Sequence, residues 1–346
     1  MNFDFTDDQQ AIKRTAKELL AARFKPERMR ELAEAGTYDE DSWKEMSELG
    51  WAGIFVDEEH GGQGLGVVEL VILMEELGYA LAPVPFLSNA AAGLALQFAG
   101  SDEQKERWLP GIASGEARGT VGMMRDGEAR LVPDADSAEV IVLIGSDGST
   151  SVVEASAAEV EPFETMDRTR RFARVRADGG EPLGGDCFAA GDRIATALSA
   201  ETVGVAQKAM EMAVEYARER KQFGRAIGAY QAVSHRCAQM LLEVEGSRSG
   251  AYYAAWCADA EPESLPAAAS MAKAYSSDAG WRVCTSSLQV HGGIGFTWEH
   301  DLHFFLKRAK TNALLYGSAS EHRERVAELG LAERARTPDA AEPVQV

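Results

Sequence analysis

Apolar positions recur at helical spacing through most of the chain. Between Val67 and Tyr79, the residues Leu70, Val71, Met74, Leu77 and Gly78 fall on one stripe, which predicts a buried helix. Thr6 with Gln9, and Ser101 with Gln104, stand at the spacing of a capping box, so each marks a helix start. Residues 1–118 therefore read as helices joined by short loops. One loop, residues 58–66, is dense in glycine, which permits positive φ and close backbone approach. It lacks the Lys-Ser/Thr pair of a phosphate loop and reads as a structural turn.

The period changes between residues 119 and 190. Alternation over Glu139–Ile144, and again around Val152, Val153, Ala173 and Val175, predicts a small β region of short strands. Gly184–Asp186 and a Gly191–Asp192 turn are expected to close it. Helical periodicity returns over residues 191–332. Ala197, Leu198, Val205, Met210, Ala213 and Ala217 form one stripe, a second helix covers about Ala229–Ala258, and a third ends near Leu288. The segment 333–346 is polar and bears proline, and is expected to be a disordered tail. The order is helices, a small β region, then helices: a mainly α fold.

Composition narrows the function. The net charge is −20, with 45% hydrophobic and 26% charged residues. So acidic a chain argues against nucleic acid or an anionic membrane surface as the main partner. An anionic substrate would need a local basic pocket. The four cysteines, Cys187, Cys237, Cys257 and Cys284, show no CxxC pairing and read as free thiols. No apolar run approaches the roughly 20 residues of a membrane span, and the N-terminus lacks the signature of a secretory leader. The expectation is a soluble, cytoplasmic protein.

Two motifs carry candidate chemistry. In residues 216–233, Arg220, Lys221 and Arg225 surround Phe223-Gly224 at a junction of helices, with Gln231 beyond. A guanidinium there can hold a phosphate, and the ring and glycine allow a planar ligand close approach. In residues 289–300, Gln289 and His291 precede Gly292, Gly293 and Gly295, and Phe296 and Trp298 follow. Taken alone, the first is a charged turn, the second is a glycine turn, and His291 is a capping or core histidine.

Together, RKQFG and QVHGGIGF inside a helical C-terminal region resemble the acyl-CoA dehydrogenase family. The likeness extends to FTDDQQAIKRTAKELL, GWAGIFVDEEHGGQGLG and SDEQKERWLPGIASGE, and so to nearly the whole chain. It implies an N-terminal helical domain (1–118), a shortened β middle domain (119–190) and a C-terminal four-helix bundle (191–332). It also implies FAD as cofactor and α,β-dehydrogenation of an acyl-CoA thioester. A carboxylate takes the α-proton and the flavin takes a hydride from Cβ. By the same resemblance Arg220, Phe223, Gln289, Gly292 and Gly293, with Gln231, reach across a subunit interface to a neighbour's FAD. Ser318 matches the family's hydroxyl residue near the base. An electron-transfer flavoprotein is the implied acceptor.

The sequence departs from this pattern at the base. The family's usual glutamate position holds Tyr316, followed by Gly317 and Ser318. A phenol, with an ordinary pKa near 10, substitutes poorly for a carboxylate. The alternative base is Glu201, read either as a buried carboxylate with a raised pKa or as a structural or surface glutamate, or else Asp192. Arg125, Asp126 and Gly127 stand where flavin-contacting Thr/Ser segments are expected. The chain thus keeps what is given to a neighbour's flavin and lacks several groups that hold its own. Two readings follow. One is a competent homo-oligomeric dehydrogenase using Glu201 or Asp192. The other is a non-catalytic partner that completes the FAD site of a longer homologue in an α2β2 tetramer, an arrangement the family uses for bulky acyl groups such as steroid side chains. An acyl-CoA oxidase or flavin monooxygenase on the same fold is a third possibility that no residue favours.

Overall fold

The computed structural model describes residues 4–145 and 147–336. Six helices come first: α1 (Asp7–Arg23), α2 (Pro26–Ala35), α3 (Glu40–Glu48), α4 (Val67–Ala80), α5 (Phe86–Ala99) and α6 (Asp102–Ser114). Thr6–Gln9 and Ser101–Gln104 form the expected capping boxes on α1 and α6. Helix α4 is apolar on nearly all sides and is buried from Leu70 to Gly78, as a helix surrounded by protein should be.

The glycine-rich loop is structural. A Cβ at Gly66 would collide with the carboxylate of Asp259. That carboxylate instead accepts the backbone N–H groups of Val67 (2.8 Å) and Val68 (3.0 Å). The positive end of α4 is thus already neutralised by a side chain from the C-terminal region.

Seven strands follow: β1 (Gly119–Arg125), β2 (Glu128–Pro133), β3 (Val140–Gly145), β4 (Thr150–Glu154), β5 (Glu159–Phe163), β6 (Phe172–Arg176) and β7 (Glu181–Pro182). They form one sheet in the order β5-β6-β2-β1-β3-β4-β7, antiparallel except for the parallel β1–β3 pair. Buried Asn89 welds α5 to the sheet, donating to the Ile112 carbonyl (3.1 Å) and accepting from the Gly119 N–H (3.1 Å).

The last region contains α7 (Cys187–Glu219), the two-strand turn β8 (Lys221–Gln222) and β9 (Arg225–Ala226), and α8 (Gln231–Ala260). It continues with α9 (Leu265–His291), α10 (Leu302–Asn312) and α11 (Ala319–Arg336). Helix α7 is its axis and packs on α4, α5, α8, α9 and α10. Two sequence expectations are corrected here. Gly191 and Asp192 lie inside α7, not in a turn, because the helix is buried continuously from Asp192 to Ala206 and that packing overrides their local turn preference. The expected tail from Glu333 is helical through Arg336, and 337–346 lie outside the described residues. No helix among the described residues is long and apolar enough to cross a membrane. The four cysteines are unpaired.

Helices α4 and α7 cross at backbone contact. A Cβ on Gly78 would collide with the carbonyl of Glu201, and one on Gly204 with the carbonyl of Glu75. Gly204→Ala is therefore expected to destabilise the protein by about 3 kcal/mol through overpacking, measurable by urea unfolding. A change under 1 kcal/mol would show that the crossing has slack.

Candidate functional site

Glu201 lies one turn before Gly204 on α7 and is 3% exposed. Its Oε1 accepts from Arg170 Nη2 (2.6 Å) and Arg308 Nη1 (2.7 Å), and its Oε2 from Asn312 Nδ2 (3.0 Å). Arg170 comes from the β5–β6 loop, while Arg308 and Asn312 come from α10. Arg308 also donates to Asp167 Oδ2 (2.9 Å), and Asn312 to Thr202 Oγ1 (3.2 Å). Burial alone would push the Glu201 carboxyl up. The two guanidinium groups and the Asn312 amide outweigh it, and the pKa is lowered. This corrects the expected raised pKa. A carboxylate whose lone pairs are occupied by two buried arginines is a weak base and a strong tie.

Asp192, the other candidate base, is 1% exposed and held by both terminal nitrogens of Arg325, with Nη2 2.9 Å from Oδ2.

Tyr316 is in the left-handed region at φ 54°. Its hydroxyl is shielded from solvent and has no hydrogen-bond partner among the described residues, and burial raises its pKa. The turn it begins is pinned from beneath. Lys273, on α9 and 1% exposed, donates to Ser277 Oγ (2.9 Å) and to the carbonyls of Asn312 and Gly317 (3.0 Å each). His322 Nε2 donates to the Tyr316 carbonyl (3.0 Å). Burial pushes the Lys273 ammonium down to about 7. Nothing in the sequence singles out Lys273, because a lysine in an Ala-rich helix reads as a solvated one.

Above this turn, a cleft of about 1000 Å³ separates the β1–β2 hairpin from residues 314–325, with Met123, Phe188 and Leu314 in its walls. A pocket of about 360 Å³ continues it past Cys187 and Asp192. The hairpin is closed by only two residues, Asp126 (φ 54°) and Gly127 (φ 81°), between the paired Arg125 and Glu128; this is the tightest reversal a twisted pair allows. Arg125 reaches over to Glu321 (2.8 Å). Ser318 is occupied as well: its N–H donates to Glu321 Oε2 (2.7 Å) and its hydroxyl accepts from the Glu321 N–H (3.3 Å). These bonds and Arg125 hold the Glu321 carboxyl down at about 2. Around the cleft, Asp192, Glu128 and Glu321 are thus ion-paired, and Asp126 is at the exposed hairpin tip.

The RKQFG and QVHGGIGF motifs lie elsewhere. Arg220 terminates α7, and Phe223 tips the β8–β9 turn at φ 53° with 92% exposure. Gln231 opens α8. Gln289 is exposed on the last turn of α9. Gly292 has φ 62°, and the space where a Cβ would stand on Gly292 or Gly293 is open. Phe296 and Trp298 follow, 71% and 67% exposed. The rings of Tyr216 and His291 stack at 4.8 Å and make the two motifs neighbours. From Lys273 under the cleft to His291 is 18 helical residues, or about 27 Å. The cleft and the glycine face therefore occupy opposite ends of α9.

The sequence matches the description "Acyl-CoA dehydrogenase, N-terminal domain" over residues 6–116 and "Acyl-CoA dehydrogenase, C-terminal domain" over residues 190–331. It is 35% identical over 317 residues to the acyl-CoA dehydrogenase IpdE2 of Mycobacterium tuberculosis, covering 91% of this chain and 95% of that protein. The chain belongs to the acyl-CoA dehydrogenase family. Among solved structures, this member of the family superimposes on a chain of the ChsE4–ChsE5 complex from Mycobacterium tuberculosis with TM-score 0.87. The identity is 26%, with 96% of this chain and 99% of that one covered. A chain of a Tcur3481–Tcur3483 steroid ACAD variant matches with TM-score 0.86 and 28% identity, over 95% and 99% of the two chains. FAD is the cofactor of the family.

Two outcomes test the site. Glu201→Gln leaves Arg170 and Arg308 short of a buried countercharge, and a loss of about 3–5 kcal/mol is expected in denaturant unfolding. Wild-type stability would disprove its role as a tie. Lys273 is neutral in the folded protein above about pH 7 and charged when unfolded up to its ordinary value near 10.5. The unfolded state then binds more protons, so stability rises with pH across that window, by up to about 1.4 kcal/mol per unit. Lys273→Met should lose this slope, and unfolding midpoints at two pH values will show whether it does.

Proposed function

We propose that this chain is the flavin-completing subunit of a heteromeric acyl-CoA dehydrogenase that desaturates a bulky, steroid-like acyl-CoA thioester. The observation that carries the proposal is the state of its own cleft. Tyr316 fills the base position, Glu201 and Asp192 are locked in ion pairs, and Ser318 is spent on capping α11. The Asp126–Gly127 hairpin leaves no loop to wrap a cofactor.

The opposite end of the C-terminal helices has what that cleft lacks. Arg220 offers a guanidinium suited to a phosphate. Phe223 offers an exposed ring, and Gln289 an amide that donates and accepts. Gly292 and Gly293 offer open backbone that a planar ligand can approach closely. These residues fit a flavin dinucleotide held by a neighbouring subunit. When bound, FAD supplies the acceptor for the hydride from Cβ. This chain's residues orient it and exclude water, while the partner provides the carboxylate base. Similarity to chains of the ChsE4–ChsE5 complex and of a steroid ACAD supports both the pairing and the size of the acyl group. An electron-transfer flavoprotein is the acceptor proposed for the reduced complex.

The test is expression of this chain alone and together with a longer homologue from the same source. Alone, it is expected to be flavin-poor by visible absorbance. The co-purified tetramer should be yellow and should reduce a dye on addition of a steroid-side-chain acyl-CoA. Arg220→Ala in this chain should weaken FAD retention by the tetramer at least tenfold. Stoichiometric FAD and dye reduction by the chain alone would overturn the proposal in favour of a competent homo-oligomer.

A further inference from the structure

His291 sits between Gln289 and the glycine pair, yet its side chain points the other way. Gln289 and Gly293 are exposed, whereas His291 is 3% exposed. Its Nδ1 is 2.8 Å from the Ser287 carbonyl. A carbonyl only accepts, so Nδ1 carries the proton and the ring is anchored to its own helix. The ring stacks on Tyr216 with planes 27° apart and meets His300 at 4.4 Å.

Each neighbour is itself attached to something that matters. The carbonyl of Tyr216 accepts the N–H of Arg220 (2.9 Å), so Tyr216 belongs to the turn that presents the guanidinium. Gly295 folds back so closely that a Cβ there would stand 2.9 Å from Cβ of His291. The short helical turn Gly292–Phe296 therefore packs against the base of the His291 side chain, at its Cβ, and against the Leu288 backbone. His300 accepts the Leu302 N–H at Nδ1 (3.2 Å), and the next residue, Asp301, pairs with Arg30 of α2 (2.5 Å).

We propose that His291 is the positioning residue of the flavin-facing surface: its ring, clamped between Tyr216 and His300, fixes the Gly292–Gly293 backbone relative to Arg220. The inference rests on the reading of that surface as a flavin-completing face. It assigns His291 no contact with the flavin.

The stack has a chemical condition. Arg30 from α2 faces His300, and Lys307 from α10 lies against His303, whose own imidazole is pushed down to about 4 by burial and by these cations and is neutral at neutral pH. Asp301 is the nearby acid and is paired with Arg30. Burial lowers the pKa of both His291 and His300, so the clamp is built from neutral rings. Protonating either ring puts a cation against the other, and a protonated His300 also faces Arg30. The surface is held firmly at neutral pH and loosens as pH falls below the ordinary imidazole value near 6.5.

The experiment uses the co-expressed tetramer, with FAD affinity read from quenching of flavin fluorescence between pH 5.5 and 8. His291→Ala is expected to assemble normally and bind FAD at least tenfold more weakly at pH 7.5. His291→Phe keeps a ring for Tyr216 and cannot be protonated. It should retain affinity within about threefold of wild type and flatten the weakening at acid pH. Tyr216→Leu should reproduce the loss seen in His291→Ala, and it serves as the test if His291→Ala fails to assemble. Wild-type affinity in both His291→Ala and Tyr216→Leu, or a loss in His291→Phe equal to that in His291→Ala, would overturn the clamp. Arg220→Ala separates the two claims. If it weakens FAD binding while the His291 and Tyr216 variants do not, the face stands and the clamp falls. If none of them weakens it, the reading of the face falls too.

Discussion

A single buried carboxylate holds the parts of this molecule in register. Glu201 is on the axial helix, and its partners arrive from the β5–β6 loop and from α10. Asp167 and Thr169 of the same loop take the remaining donors of Arg308. Two residues further, the N–H of Arg171 meets the hydroxyl of Tyr38, which in turn donates to Asp134 beside Ser88. N-terminal helices, sheet and C-terminal helices are thus joined by one continuous polar seam. Buried ion pairs seldom add much net stability over apolar packing, but a seam of directional bonds admits few alternative arrangements. The close approach of Gly78 on α4 to the carbonyl of Glu201 means that the seam and the helix crossing share a residue.

That rigidity keeps two surfaces of one chain apart. Helices α7 and α9 are long, at 33 and 27 residues. Each has the cleft at its start and the glycine face at its end. A group bound in the cleft is out of reach of Arg220 and Gly293 of the same chain. Loss of function at one end need not disturb the other. The carboxylates around the cleft are ion-paired and its hairpin is tight, while the far end keeps its open glycines and exposed rings.

Local features were legible in the sequence. The capping boxes, the buried stripe of α4, the short strands and the motif pair each depend on residues a few positions apart. What was not legible depends on distance along the chain. Arg170 and Arg308 lie 31 and 107 positions from Glu201, and nothing near Glu201 shows that its charge is matched. The sequence therefore suggested a base with a raised pKa where the fold has a tie with a lowered one. Gly191–Asp192 misled for a related reason, since residues that favour turns in isolation were drawn into α7 by burial. His291 reads as an ordinary capping or core residue. Its stacking partners, Tyr216 and His300, become visible only when α7, α9 and the segment before α10 are assembled.

The Asp126–Gly127 turn has a consequence for engineering. Its two strands are paired right up to the reversal, and no atom lies within 4 Å of where a side chain on Gly127 would begin. The tip is therefore a place where extra chain can be inserted without disturbing the ladder on either side. A longer segment grafted there would hang over the 1000 Å³ cleft, making this subunit a scaffold on which a self-contained binding site could be rebuilt one loop at a time.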